Sequence, residues 1–332
     1  MSDTAATATA PSATDTGYFT DDQDLSAYIE DSRSADTKQK STLDSAQAIV
    51  ATFAAKTDAG SWPSLDRATV AQRLTQLVTD PSAAGCAQSA VYNACGPRSV
   101  RQGGLNLCGP AAFFQTALGR DPAAVMQFAT DLFDNGSASM GSLSISPGQD
   151  LLTADYAAMS QKGDASSMAE WMLLGALRNS TDVFWQGSWQ GDPAQQLAAL
   201  TRPEELADWM RKSGVWSSVE DHGKWASNPG IPDALDLQPA VEGTDIALLI
   251  HMNLIAKSTL IKSRPDALPK PDDNILMSQF PNHWVVLLND IVTDIKQENV
   301  VFTIWTWGGS WVLSAPKQVF VDNYFGAVIA KL

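Results

Sequence analysis

The chain is short of cysteine, histidine and long apolar runs: it holds three cysteines and three histidines in 332 residues. Each shortage excludes something. With no apolar run long enough to cross a bilayer, no transmembrane helix is expected. Three cysteines allow at most one internal disulfide, with a thiol left over. Cys86 and Cys95 lie close together in a small-residue stretch and could close a short ring in an oxidising compartment; in cytosol both stay thiols. His222, His251 and His283 are widely scattered and no Cys-x-x-Cys occurs, so neither a structural zinc site nor any other metal or cofactor is expected.

Basic residues are scarce as well. Lys and Arg number 22 against 37 Asp and Glu, a formal net charge of −15. Such a surface repels phosphate backbones and anionic lipid, which argues against nucleic acid and membrane partners and suits a neutral or basic one. Residues 1–20 have neither the basic start nor the apolar core of a secretory signal peptide, so export would need a dedicated secretion machine. The hydrophobic fraction of 44% and charged fraction of 18% are those of a soluble globular protein.

What is present divides the chain by pattern. Residues 1–38 are polar and without periodicity, and read as a disordered low-complexity leader. Residues 39–97 form a helical N-terminal extension, with helices expected over 41–56 and 64–79, Ser64 capping the second, and loop over 81–104. Helical segments follow at 108–118, 121–133, 151–161, 167–178 and 203–212, with Asp121-Pro122 opening the second of these and loop at 134–150. Tryptophans 171, 185, 189, 209, 216 and 225 are expected as core and groove walls. From residue 244 the pattern turns to strands at 245–254, 283–290, 300–307 and 325–331, with 311–314 a short extension and a helix start near Pro316. Helices first and a mainly antiparallel sheet last make an α+β layout, a 98–243 helical part followed by a 244–332 β-rich part.

Cys108 stands where the glycine-rich Gln102-Gly-Gly-Leu-Asn-Leu turns into the apolar, helix-forming Cys108-Gly-Pro-Ala-Ala-Phe. Amides at a helix start carry partial positive charge, which lowers a thiol pKa and favours the nucleophilic thiolate. Gln102 can donate to an oxyanion on a substrate carbonyl. The competing reading is a cysteine that merely packs the helix end. A base is available in His283, at the mouth of the strand Asn282-His-Trp-Val-Val-Leu-Leu288, whereas His251 lies inside an apolar strand as a core histidine and His222 in an exposed loop.

These stretches, together with Trp305-Thr-Trp-Gly-Gly-Ser-Trp311, resemble in order and character the papain-like cysteine peptidases. The resemblance covers roughly residues 98–332. It implies a papain-like cysteine hydrolase fold, with Cys108 as nucleophile, His283 as its imidazolium partner and general acid, and Gln102 with the Cys108 amide as oxyanion donors. One position departs from the pattern: Trp305 stands where the histidine-orienting asparagine belongs, and an indole offers no acceptor for the imidazole Nδ1–H. If the strands at 283–290 and 300–307 pair about a centre near 294–295, His283 lies opposite Trp305 or Thr306, and the Thr306 hydroxyl can accept that proton. Asp290 faces the other side of its strand and Asp294 lies in the hairpin loop, so both are poorer orienters. A Cys–His dyad, a triad completed by Thr306 or a residue from elsewhere, and an altered enzyme with little proteolysis all stay open.

The expected function is a thiol hydrolase cutting peptide or amide bonds in a protein or peptide substrate, a bacterial effector or toxin held in the bacterial cytoplasm before specialised export. A secretion chaperone or an inhibitor or immunity protein is an expected partner. A peptidoglycan amidase and a deamidase or transglutaminase-like enzyme use the same machinery. A binding module on a decayed hydrolase fold is the non-enzymatic alternative.

Overall fold

The structure, a computed structural model, describes residues 42–79, 99–161, 166–181, 188–195, 199–225, 227, 229–237, 243–263, 280–294, 296 and 298–332. The expected leader, most of the 81–104 loop, Cys86, Cys95 and Trp185 lie outside them. Residues Thr42–Leu332 form one compact unit. It is a mixed α+β fold, eleven helices among the described residues and one seven-stranded antiparallel sheet. No helix among the described residues is long and apolar enough to cross a membrane.

The helical layer comes first. Helix α1 covers 42–54 and α2 Arg67–Leu77. Asp66 rather than Ser64 caps α2, accepting from the Thr69 amide at 2.7 Å, while the Ser64 hydroxyl donates to the Ala154 carbonyl. Helices α3 (Cys108–Arg120) and α4 (Pro122–Asn135) follow; Asp121 accepts from the Ala124 amide, and Gly136 ends α4 at φ +68°. Residues 134–150, read as loop, contain a hairpin, β1 (Ala138–Met140) and β2 (Leu143–Ile145). Three-residue strands are too short to show an alternation in sequence. Helices α5 (Gln149–Leu152), α6 (Tyr156–Ser160), α7 (Met168–Ser180) and α8 (Pro203–Ser213) complete the layer. Phe53 and Trp62 of the N-terminal extension share one core with Phe113, Trp171, Trp189 and Trp209.

The sheet runs β3 (Ser218–Asp221), β9 (Tyr324–Lys331), β4 (Thr244–Ile250), β6 (His283–Thr293), β7 (Asn299–Thr306), β8 (Gly309–Pro316) and β5 (Thr259–Ser263). The edge strands β3 and β5 escape the sequence reading, and β8 is a full strand rather than a short extension. The strand expected over 245–254 stops at Ile250, because groups outside the ladder take the next amides: His251 N–H donates to the carbonyl of Asn323, the last residue of the helix after β8, and Met252 N–H to Asn282 Oδ1. Strand β4 is buried along its whole length. Its Ala247 and Leu249 face the helices, while Ile246, Leu248 and Ile250 face a second core. Short helices α9 (Ile231–Leu235), α10 (Asn253–Ala256) and α11 (Lys317–Asn323) supply Ile231, Leu254 and Phe320 to that second core.

Candidate active site

Helix α3 lies on the sheet, pinned at its C-terminal end. Arg120 Nε meets Asp245 Oδ2 at 2.7 Å, and the Trp216 indole donates to the same carboxylate oxygen at 2.7 Å. Asp245 is the second residue of β4, and Ile250 at the far end of β4 pairs with His283. From Cys108 to Arg120 a helix rises ~18 Å, and from Asp245 to Ile250 a strand runs ~17 Å. The match brings the start of α3 to the mouth of β6.

That helix start has no side-chain cap. Gly103 and Asn106 turn the preceding loop through left-handed conformations (φ +55° and +59°), and Leu107 offers no side-chain cap. Pro110 has no amide to donate, so the first turn presents the N–H groups of Cys108 and Gly109. Both face the Cys108 sulfur, and so does the backbone amide of Trp284, the residue after His283. The thiol is therefore beside the β6 mouth. No hydrogen bond joins Cys108 to His283 among the described residues; the imidazole is held instead by Thr306, Nε2 to Oγ1 at 2.7 Å.

Two expectations about this pair are corrected in detail. The register is Val286 opposite Trp305, which puts Thr306 opposite Val285 and two residues from the position facing His283. A shift of two keeps the face, so the diagonal contact survives. It is made by Nε2, not Nδ1, because the ring nitrogen farther from the backbone spans the longer diagonal. Trp307, at φ +47°, stacks on the imidazole with ring centroids 4.8 Å apart. Trp305 is no orienter: its indole donates to Ser99 Oγ at 2.6 Å.

The electrostatics also differ from the expected thiolate–imidazolium pair. Cys108 and His283 are only 6% and 3% exposed. Burial pushes the thiol up to about 11, outweighing the three amides that favour the thiolate. Burial likewise holds His283 down at about 3. At rest the thiol and the imidazole are both neutral.

Gln102 is 5% exposed, and its Oε1 has no hydrogen-bond partner. Its loop is clamped. Arg73 of α2 pairs with buried Glu170 of α7 and donates to the Ser99 carbonyl at 2.8 Å. Glu170 Oε1 accepts from the Arg101 amide at 3.2 Å, and Gln115 Oε1 from the Val100 amide at 3.0 Å. Sequence reasoning missed Arg73, Ser99, Glu170 and the stacked Trp307; only the Ser167-x-x-Glu170 capping spacing hinted at a special carboxylate, and nothing local revealed its burial. His251 is fully buried and hydrogen-bonded, accepting from the Asn253 amide at Nδ1, and His222 is exposed beside Glu220. Two open clefts lie elsewhere, along α1 and α4, lined by residues such as Thr52, Lys56 and Asp131. No group of three His, Cys, Asp or Glu able to hold a metal occurs among the described residues. No family model and no curated protein matches this chain.

Proposed function

We propose that the chain is a thiol hydrolase of the papain-like class, acting on peptide or amide carbonyls through an acyl-enzyme on Cys108. One observation carries the reading: the Cys108 sulfur sits at the uncapped start of α3 among three backbone amides, one of them from the residue after His283. The His283–Thr306 hydrogen bond supports it, since it holds the ring of the candidate base in one orientation.

From a neutral pair the chemistry begins with base catalysis. As substrate enters, the sulfur–imidazole contact closes and His283 Nδ1 takes the thiol proton while sulfur bonds the carbonyl carbon. The C=O π pair moves to oxygen, where the Cys108 amide meets it. A half-turn of the Gln102 amide exchanges its orphaned acceptor for an N–H donor at the same place. Collapse breaks the C–N bond, and His283 gives its proton to the leaving nitrogen. Water then attacks the thioester, losing a proton to His283, which returns it to sulfur as the S–C bond breaks. A different second nucleophile would make the same acyl-enzyme a transferase, and glutamine as substrate would make it a deamidase. The acidic chain and low-complexity start fit a bacterial effector or toxin with a protein substrate.

The closed, neutral resting pair favours a second reading, a binding module on a decayed hydrolase. p-Nitrophenyl acetate separates the two. The hydrolase releases a nitrophenolate burst with acetyl on Cys108, lost in Cys108→Ala and His283→Ala. No acetyl on Cys108 in the folded wild type leaves the binding module.

A further inference from the structure

The first turn of α3 has a third polar neighbour. Thr201, just ahead of α8, is 2% exposed, and its Oγ1 has no hydrogen-bond partner. The side chain packs flush on Gly109: a Cβ built on that glycine would meet Oγ1 first, at 2.3 Å, then the Thr201 Cβ at 2.4 Å. Only glycine after Cys108 leaves room for it. The Thr201 backbone is held in turn, its carbonyl accepting from the Trp284 indole at 2.8 Å. Thr201 therefore bridges Gly109 and Trp284, two of the three residues whose amides face the sulfur.

A buried hydroxyl without a partner is destabilising in the resting protein, so its place needs a reason. A hydroxyl rotor can aim its hydrogen at a charge that exists only during reaction, which is the property of an oxyanion donor. The start of α3 has no side-chain cap, and the Thr201 hydroxyl beside it is an unpaired donor.

Building on the hydrolase reading above, we infer that Thr201 is a further catalytic residue, its hydroxyl donating to the oxyanion formed when Cys108 attacks a carbonyl. The donor acts on the carbonyl oxygen alone; the thiol proton still passes to His283 and the leaving group still takes it.

Two thiol reagents isolate this role. Acylation of Cys108 by p-nitrophenyl acetate passes through a tetrahedral oxyanion, whereas alkylation by iodoacetamide is a displacement at carbon with none. Thr201→Val keeps the shape and removes the hydroxyl; Thr201→Ser keeps the hydroxyl. The expected result is a roughly 100-fold slower acylation in Thr201→Val with alkylation unchanged, as for loss of one oxyanion donor, and recovery to within several-fold in Thr201→Ser. Acylation at the wild-type rate in Thr201→Val overturns the assignment, and so does a parallel fall in both reactions, which marks a packing role. Wild type that alkylates but never acylates at Cys108 instead removes the hydrolase reading, and the oxyanion role with it.

Discussion

Burial of both members of the Cys108–His283 pair predicts that the folded protein loses stability on either side of a neutral window. In an unfolded chain the imidazole titrates at 6.5, and in the folded protein at about 3. Above pH 6.5 it is neutral in both states and contributes no pH dependence. As pH falls below 6.5 the unfolded chain takes up a proton that the folded chain refuses, so stability falls with pH until about pH 3. Each pH unit in that interval costs about 1.4 kcal/mol, for a total of about 5 kcal/mol. That is comparable to the whole stability of a modest domain, roughly 5–15 kcal/mol. The Cys108 limb has the opposite sign: the thiol titrates at 9.0 unfolded and about 11 folded, so stability falls as pH rises between them, by about 3 kcal/mol in all. Urea unfolding at one-unit steps from pH 4 to 10 covers most of the acid limb and the first half of the alkaline one. His283→Gln should lose the acid limb, its stability falling about 1.4 kcal/mol less per unit below pH 6 than wild type, and Cys108→Ala the alkaline one. The chain's many carboxylates affect wild type and variant alike, so the difference isolates the pair. Parallel wild-type and His283→Gln curves between pH 6 and 4 would refute the buried neutral imidazole.

Three further changes test the supports of the site. Thr306→Val strips the imidazole Nε2 of its hydrogen-bond partner and should cost about 1–3 kcal/mol of stability, with a slower acylation burst on Cys108; Thr306→Ser should restore both, and an unchanged burst would show that the threonine does not orient His283. Glu170→Gln leaves the buried Arg73 guanidinium without its counter-charge and should lower unfolding free energy by about 3–5 kcal/mol; a urea midpoint matching wild type would reject the clamp on residues 99–101. Gly109→Ala drives a methyl into Thr201 and should destabilise by about 1–3 kcal/mol, read as a lower melting temperature, while an unshifted melting curve would mean the two residues are not in contact.

How legible all this was in the sequence depends on the range of the interaction. Helix α3 could be placed because Asn106, Gly109 and Pro110 punctuate the chain locally, and α4 because Asp121-Pro122 is a start signal with its own chemistry. The Thr306 contact could be anticipated because side-chain alternation survives a register slip of two, although the bulges in the β6–β7 hairpin, which set the true register, leave no local mark. Edge strands β3 and β5 were hidden because each is short and pairs on one side only. The neutral state of the pair was the hardest to see. A helix start lowers a thiol pKa within its own turn, but the burial that outweighs it is a property of the closed fold, which no local stretch of sequence records. Likewise Arg73 and Glu170 look like surface charges until α2 and α7 close over them.

The site's dependence on β6 and β7 has a consequence for the chain as it is made. Helix α3 and its thiol leave the ribosome well before the imidazole, and the residues that bury both arrive later still. Until His283 and Thr306 have been added and the sheet has closed, Cys108 is an ordinary cysteine titrating near 9, with no base beside it. A nascent or truncated chain therefore carries an open thiol that ionises more readily than the buried one, and only the last strands to be made close over it.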